Sequence, residues 1–348
     1  MSLHRWTSTA AAWFLVASIV QAQTDGTSDP LFRDSTVLDV RISAPISTIL
    51  AKRSDDEELA GTFEYVDEAG EPQLIDIGVR TRGRFRRQKE ICRFPPLRLN
   101  FKSSQTKGSL FHKQDKVKLV THCRDSDNYE QTLLREYIAY RILNEVTDVS
   151  FLARLMKITY VDTEQKQENR VRYGFIIEHK DRLGKRIGID PLDIERIKVS
   201  ALRREHLNLM SVFHYLIGNT DFSPVAGAEE TCCHNHVLLG NEGELAYSVP
   251  YDFDQAGLVN APHAGANPRF KLRSVRQRLY RGRCTNNDQL DATIARFIEK
   301  RDAILDLTSK QEGLDKSSAK SMTRYVQKFY DTIESPKLVQ RNLVKKCI

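Results

Sequence analysis

Two aspartates flank a phenylalanine in VPYDFDQAG, Val249 to Gly257, directly after a run of strand-forming residues and just ahead of a glycine. Alternating acids at a strand end either face water as turn residues or hold a cation on a substrate. Further upstream GNTD carries Asp221 at the end of an apolar stretch, and Lys118 in KVKLV precedes Glu136 in LLREY. A phosphoryl-transfer site needs these parts: a cation for the phosphates, carboxylates and an amide for a divalent ion, and an acid beside the attacking hydroxyl. Lys118 and Glu136 would pair so that the lysine faces phosphate, and Asp221 would be aimed at a hydroxyl. Lys102 and Lys116 lie in neighbouring strand patterns, and Lys118 is preferred for its place just before a helix. Arg82 and Arg84 flank Gly83 within a cluster that also holds Arg80, Arg86 and Arg87, and guanidinium groups suit bidentate contacts to oxyanions. Glu178, at an expected hinge, would offer mainly backbone groups to a nucleotide.

The elements that must position these residues follow from periodicity. Alternation in STVLDVRIS, GTFEYVD and QLIDIGVRTRG, followed by PPLRLNFK and KVKLV, predicts a run of strands up to Val120. In DNYEQTLLREYIAYRILNEV, Leu134, Ile138 and Ile142 recur every four residues, which predicts an amphipathic helix over 128–145. Asp127 and Glu130 form its capping-box-like start. RLMKITYVD and RVRYGFIIE return to strand, and EHLNLMSVFHYLIGN reads as a helix buried on several sides. Short strands around NHVLL and ELAYSVPY come next, then helices over 290–307 and 314–333. The basic stretch RSVRQRLYRGRC, Arg273 to Cys284, reads as an exposed helix face, with an acidic polymer surface as the alternative. The resulting expectation is an α+β chain divided into a signal peptide (1–22), a β-rich N-terminal lobe (23–178) and a helix-rich C-terminal lobe (179–348).

RTRGRFRR with FPPLRLNFK, then KVKLV, the LLREYIAYRIL helix, YGFIIEHKD, GNTD and above all PYDFDQAG resemble the spore coat protein H (CotH) kinase family. These are secreted atypical kinases, and the resemblance covers Val79 to Gly257. It implies a protein-kinase-like two-lobed fold, a strand-rich N-lobe with one inserted helix and a helix-rich C-lobe. It also implies ATP, magnesium or manganese, and transfer of the γ-phosphate to protein Ser/Thr hydroxyls. Carried onto this chain, Asp221 resembles the catalytic-loop aspartate, Asn235 the metal-holding asparagine and Asp252 the metal aspartate, with Asp254 supporting that ion or a second one. The chain departs from ordinary kinases in the long FSPVAGAEETCCH insert between Asp221 and Asn235 and in lacking a G-x-G-x-x-G loop. Those departures suit an alternative, a catalytically inactive kinase-fold binding module of the envelope or extracellular space. Metal-dependent phosphoester hydrolysis at the same carboxylates is a third reading.

The 53 Lys and Arg against 46 Asp and Glu leave a formal charge of +7, spread along the chain. With no aromatic-interleaved basic tract, this excludes a nucleic-acid reading. His4 and Arg5 followed by an apolar run to Val20 and by VQA read as a secretory leader cut after Ala22. Its core is too short to span a bilayer, so an exported chain is expected, periplasmic or extracellular, with no transmembrane segment and an envelope or secreted protein as substrate. The six cysteines are an even number, as suits disulfides in such a compartment. Cys92 with Cys123 is the most natural pair, and Cys284 would meet Cys232 or Cys233, although spacing does not fix the connectivity. Cys232 and Cys233 beside His234 and His236 also raise zinc, but at no usual ligand spacing, and the tripeptide His-Asn-His by itself carries little.

Overall fold

The structure, a computed structural model, describes residues 28–227 and 232–348. The expected leader over 1–22 lies outside the described residues. The elements run β1 (Leu38–Ala44), α1 (Ile46–Lys52), β2 (Leu59–Val66), β3 (Pro72–Thr81), β4 (Leu97–Phe101), α2 (Ser103–Thr106), β5 (Lys116–Val120), α3 (Asp127–Val146), β6 (Ala153–Asp162), β7 (Arg170–Ile177), α4 (Lys180–Ile187) and β8 (Pro191–Leu192). They continue with α5 (Arg204–Ile217), β9 (His236–Leu239), β10 (Tyr247–Pro250), α6 (Leu290–Glu299), α7 (Arg301–Lys310), α8 (Lys316–Ile333) and α9 (Pro336–Asn342).

Seven strands close into a barrel in the order β1-β2-β3-β4-β5-β7-β6. Antiparallel neighbours make up most of it, and the seam is the parallel pairing of β1 with β6, Val40 opposite Ile158. Alternation along the strands sends Ile42, Phe63, Ile77, Val79, Leu99, Leu119 and Ile158 inward, where they are buried. Phe63, Phe101 and Phe111 pack there ring against ring, with centroids 4.8 to 5.2 Å apart.

Outside the barrel, α3 packs on β6 and β7 by one side and on α7 by another. Its Leu134, Tyr137, Ile138 and Leu143 join α5, α8 and the Phe253 turn in a second core. A three-stranded sheet, β10-β9-β8, stands apart from the barrel. The capping box does not form: Ser126 is the N-cap, and Glu130 instead accepts a hydrogen bond from Tyr173 N at 2.7 Å. The single helix expected over 290–307 is broken at Lys300 into α6 and α7.

The closed barrel overturns the two-lobed expectation. A kinase-like N-lobe is an open, twisted sheet, and here the first strand returns to pair with the sixth, so the barrel has no open edge. The resemblance to the CotH kinase family, which implied that open lobe, fails with it. The inactive kinase-fold module fails for the same reason.

Cys92 pairs with Cys123 as expected, and the adjacent Cys232 and Cys233 are joined to each other. Cys284 bonds Cys347, correcting the pairing with Cys232 or Cys233. The chain end lies beside it, since Cys284 N donates to Ile348 O and Ile348 N to Gly282 O. No thiolate is left for zinc among the described cysteines. The Cys92–Cys123 bond ties the loop after β3 to the end of β5, across a separation of 31 residues. Replacing both by serine should lower the stability by about 2–4 kcal/mol, read as a shifted urea midpoint. An unchanged midpoint would mean that the loop is held by its hydrogen bonds alone.

Candidate functional site

A cleft of about 640 Å³ opens between the loop after β3 and the ends of α5 and β10. Gly83, at a φ of 84° that side chains disfavour, turns the chain out of β3. The arginines around it then divide. Arg80 pairs with Glu58 at 3.4 Å and Arg87 with Asp55, both on the barrel side. Arg82 and Arg84 line the cleft together with Arg269 from the far wall.

Arg86 reaches deepest. Its guanidinium lies 3.3 Å from Glu136, 3.1 Å from Asp252 and 3.3 Å from Asp254. Burial works against its charge, but the three carboxylates raise its pKa well above the usual arginine value. One cation cannot neutralise three acids in a desolvated site. Burial accordingly raises Glu136, with Arg86 opposing, and burial together with the neighbouring Asp254 raises Asp252. Asp254 is also opposed by burial, yet Arg86 and a 3.0 Å hydrogen bond with His263 hold it below the ordinary carboxylate range.

The VPYDFDQAG turn is shaped to supply these acids. Phe253 is buried against Tyr140 and Phe213, which turns Asp252 and Asp254 to the cleft side. Asp252 has a φ of 61°, and its backbone N donates to the Tyr140 hydroxyl at 2.9 Å. Gly257 is required by close approach, because a Cβ there would lie 2.6 Å from both the Tyr325 hydroxyl and Val275 O.

Asp221 follows the end of α5. It accepts from His234 Nε2 at 2.9 Å and from Asn235 Nδ2 at 3.1 Å, and the Asn235 amide also bonds Asp221 O at 2.7 Å. Tyr251 N donates to Asn235 O at 3.0 Å, which holds the β9 and β10 ends together. The hydrogen bond to Asp221 raises the His234 pKa despite burial. Asp221, Asn235, Asp252, Asp254, Arg82 and Arg84 line one cleft. A small cavity next to it is lined by Arg82, Lys118, Glu136, Glu178 and Asp252.

The partners differ from those expected. Glu136 bonds Arg86 and not Lys118. Lys118 lies over the Tyr251 ring with its Nζ 4.9 Å from the centroid, and burial, with Arg82 adding to it, lowers its pKa to about 8. Glu178 is buried and held by Arg186 at 2.9 and 3.0 Å, with Leu152 N on the same carboxylate, so its side chain ties the chain entering α4 to the last turn of that helix. Lys102 is on the surface with Asp76, and Lys116 is exposed. His263 and Arg269 are contributors that the residue pattern did not single out, and it raised His234 only beside a zinc reading and Arg86 only as one of a phosphate-facing cluster, not as partners of the acids. The signal for His234 lay in its standing next to Asn235, and that for Arg86 in the size of the arginine cluster.

The functional expectation is corrected by this geometry together with the fold. Among the described residues no group of three or more His, Cys, Asp or Glu is placed to hold a metal ion. Arg86 is the cation that these three carboxylates meet in this structure. The barrel architecture and this arrangement overturn the reading of an ATP-dependent kinase acting on protein hydroxyls. A scan of the chain against models of known protein families finds no match, and a search of curated proteins finds none either.

Proposed function

We propose that the cleft is a binding site for a small phosphate-bearing ligand. The observation that carries this is the pair Arg82 and Lys118. Both are half-buried, Arg82 lining the cleft and the small cavity and Lys118 the small cavity; neither makes an ion pair with a described residue, and the acid whose charge acts on both is Asp252, which Arg86 already holds at 3.1 Å. Half-buried cations that share one acid with a third cation attract a further anion, and a phosphate satisfies an arginine fork and a lysine point charge together. Arg84 and Arg269 add positive charge along the walls, and protonated His234 adds more at the rim.

ATP is the particular phosphate ester suggested by the sequence, and it is proposed here as a ligand only. Magnesium or manganese would enter with it, and only if the phosphates drew Arg86 away from the acids. Export to the periplasm or beyond is part of the proposal, supported by the apolar leader and by disulfides that link distant segments. An envelope or secreted protein as partner rests on that location. Nucleic acid is not proposed, since the cleft interleaves its cations with Asp221, Asp252 and Asp254. No helix among the described residues is long and apolar enough to cross a membrane.

The test is calorimetric titration of the oxidised chain with pyrophosphate and with ATP, each with and without magnesium. Arg82→Ala and Lys118→Ala should each weaken binding about tenfold or more, the loss expected for one charge-assisted contact. Affinity should rise between pH 8 and pH 6 as Lys118 and then His234 gain their charges. Equal affinity in the variants and the parent would remove the cleft as the site.

A further inference from the structure

The segment Arg273 to Cys284 is not an exposed helix. It is irregular, and it crosses the outer face between α5 and α8. Arg278 is spent on structure: its guanidinium donates to Tyr215 O, Leu216 O and Tyr325 O, satisfying carbonyls at the open end of α5. Its Cζ lies 3.8 Å from the Tyr325 ring centroid, and the Cζ of Arg276 lies 4.7 Å from the same centroid.

Beside this stack is a concavity of about 580 Å³, remote in the chain from the cleft arginines. Arg276, Arg278, Arg324 and Lys328 line it together with Ser321 and Thr332, and none of its lining residues is a carboxylate. Arg276, Arg324 and Lys328 have no ion pair among the described residues, and Arg324 and Lys328 stand one turn apart on α8. Like charges at that spacing repel on a helix, so the arrangement lowers stability unless an anion joins them. A surface arginine normally finds either water or an acid; here three unpaired cations converge on one hollow, and Arg276 is fixed by its stacking.

We propose that this hollow is a second anion site, for a compact ligand bearing several phosphates. Four cations around one concavity ask for several negative charges within a few ångströms, more than a single carboxylate supplies. Two guanidinium groups already cover the Tyr325 ring, and Tyr215, the other aromatic in the lining, is buried, so no exposed aromatic face is offered for a nucleobase. The ligand is therefore recognised by its phosphates and not by a base, which separates this site from the cleft.

Tripolyphosphate is the probe, titrated into the full oxidised chain and into two variants. Arg324→Ala/Lys328→Ala changes only exposed positions and so tests the hollow without disturbing the core, while Arg82→Ala tests the cleft. The parent should show two binding events. The α8 double variant should lose one of them, with affinity for that event reduced about a hundredfold, the product of two tenfold contacts, while Arg82→Ala retains it. A double variant that titrates like the parent overturns the hollow, whatever happens at the cleft. Poly-glutamate binding to the parent at the α8 residues without tripolyphosphate binding would also overturn it, in favour of an acidic peptide. If the α8-dependent event survives alone and no Arg82-dependent event is found, the cleft reading fails and the second site stands.

Discussion

Arg86→Met should be the most damaging single substitution in the cleft, costing about 3–5 kcal/mol at neutral pH, as expected when one partner of a buried ion pair is removed. The side chain is only 12 % exposed, and Glu136 opposite it only 3 %. Removal takes the ion-pair partner from Glu136 and Asp252 and leaves Asp254 with His263, and Glu136 Oε1 is already an unpartnered buried oxygen. The deficit has a defined pH dependence. Without the guanidinium, burial raises the pKa of each acid in the folded state, so the folded chain holds protons that the unfolded chain releases. The destabilisation is therefore fully present above those raised values and fades as the pH falls toward the ordinary carboxylate range. Urea denaturation of parent and variant at pH 8 and pH 5.5 should show the gap narrowing. Adding Glu136→Gln and Asp254→Asn to Arg86→Met should recover much of the loss at pH 8. If Arg86→Met were as stable as the parent at pH 8, the carboxylates would have to be neutralised some other way.

The second large effect is acid lability from buried histidines. Burial lowers the pKa of His206 to about 4 and of His122 and His236 to about 3, and it takes His214 well below its ordinary value, with His236 and Arg281 adding to that shift. His214 and His236 face each other Nε2 to Nε2 at 3.0 Å, and His236 Nδ1 bonds the Ser248 hydroxyl at 2.8 Å. A proton on either ring places a charge against its neighbour in a dry pocket. These are bases whose folded values are depressed, so their stabilising effect is complete above the unfolded value near 6.5 and is lost as pH falls toward the folded values. Each should cost about 1.4 kcal/mol per pH unit below about 6.5. Together the four amount to about 8 kcal/mol at pH 5, comparable to the whole stability of an ordinary domain. Protonation of Glu136 and Asp252, which favours the folded state, offsets part of this.

Denaturation midpoints should therefore fall steeply between pH 7 and pH 5. His122 gives the clean control, because neither of its ring nitrogens has a hydrogen-bond partner. His122→Leu should flatten the slope by about one proton's worth. A parent slope that is flat over this range would show that the imidazoles are solvated on opening well before global unfolding.

Local pattern was enough for the strands from Leu38 to Val120, for α3, and for the deeply buried α5, because the period of apolar residues is a property of neighbouring positions. It was also enough to gather Asp221, Asn235, Asp252 and the Gly83 arginines as candidates, since polar groups at strand and helix ends are where a cleft is built. Cys92 and Cys123 were matched by the same logic of flanking strands. What the residue order suggested beyond this, a two-lobed kinase, did not survive. Order along the chain constrains which groups exist and leaves open which of them meet.

Those meetings were decided by the tertiary structure. Closing the barrel depends on β1 pairing with β6 across more than a hundred intervening positions, and alternation reads the same in an open sheet as in a closed one. Arg86 finds Glu136 at a separation of 50 residues and Asp252 at 166. Cys347 comes to Cys284 only because the chain end runs back along Gly282. Charge is long-ranged and undirected, so several cations near a carboxylate are equivalent on paper. Packing picks one of them, and here it put Arg86 among the acids and left Arg82 and Lys118 with no ion pair among the described residues.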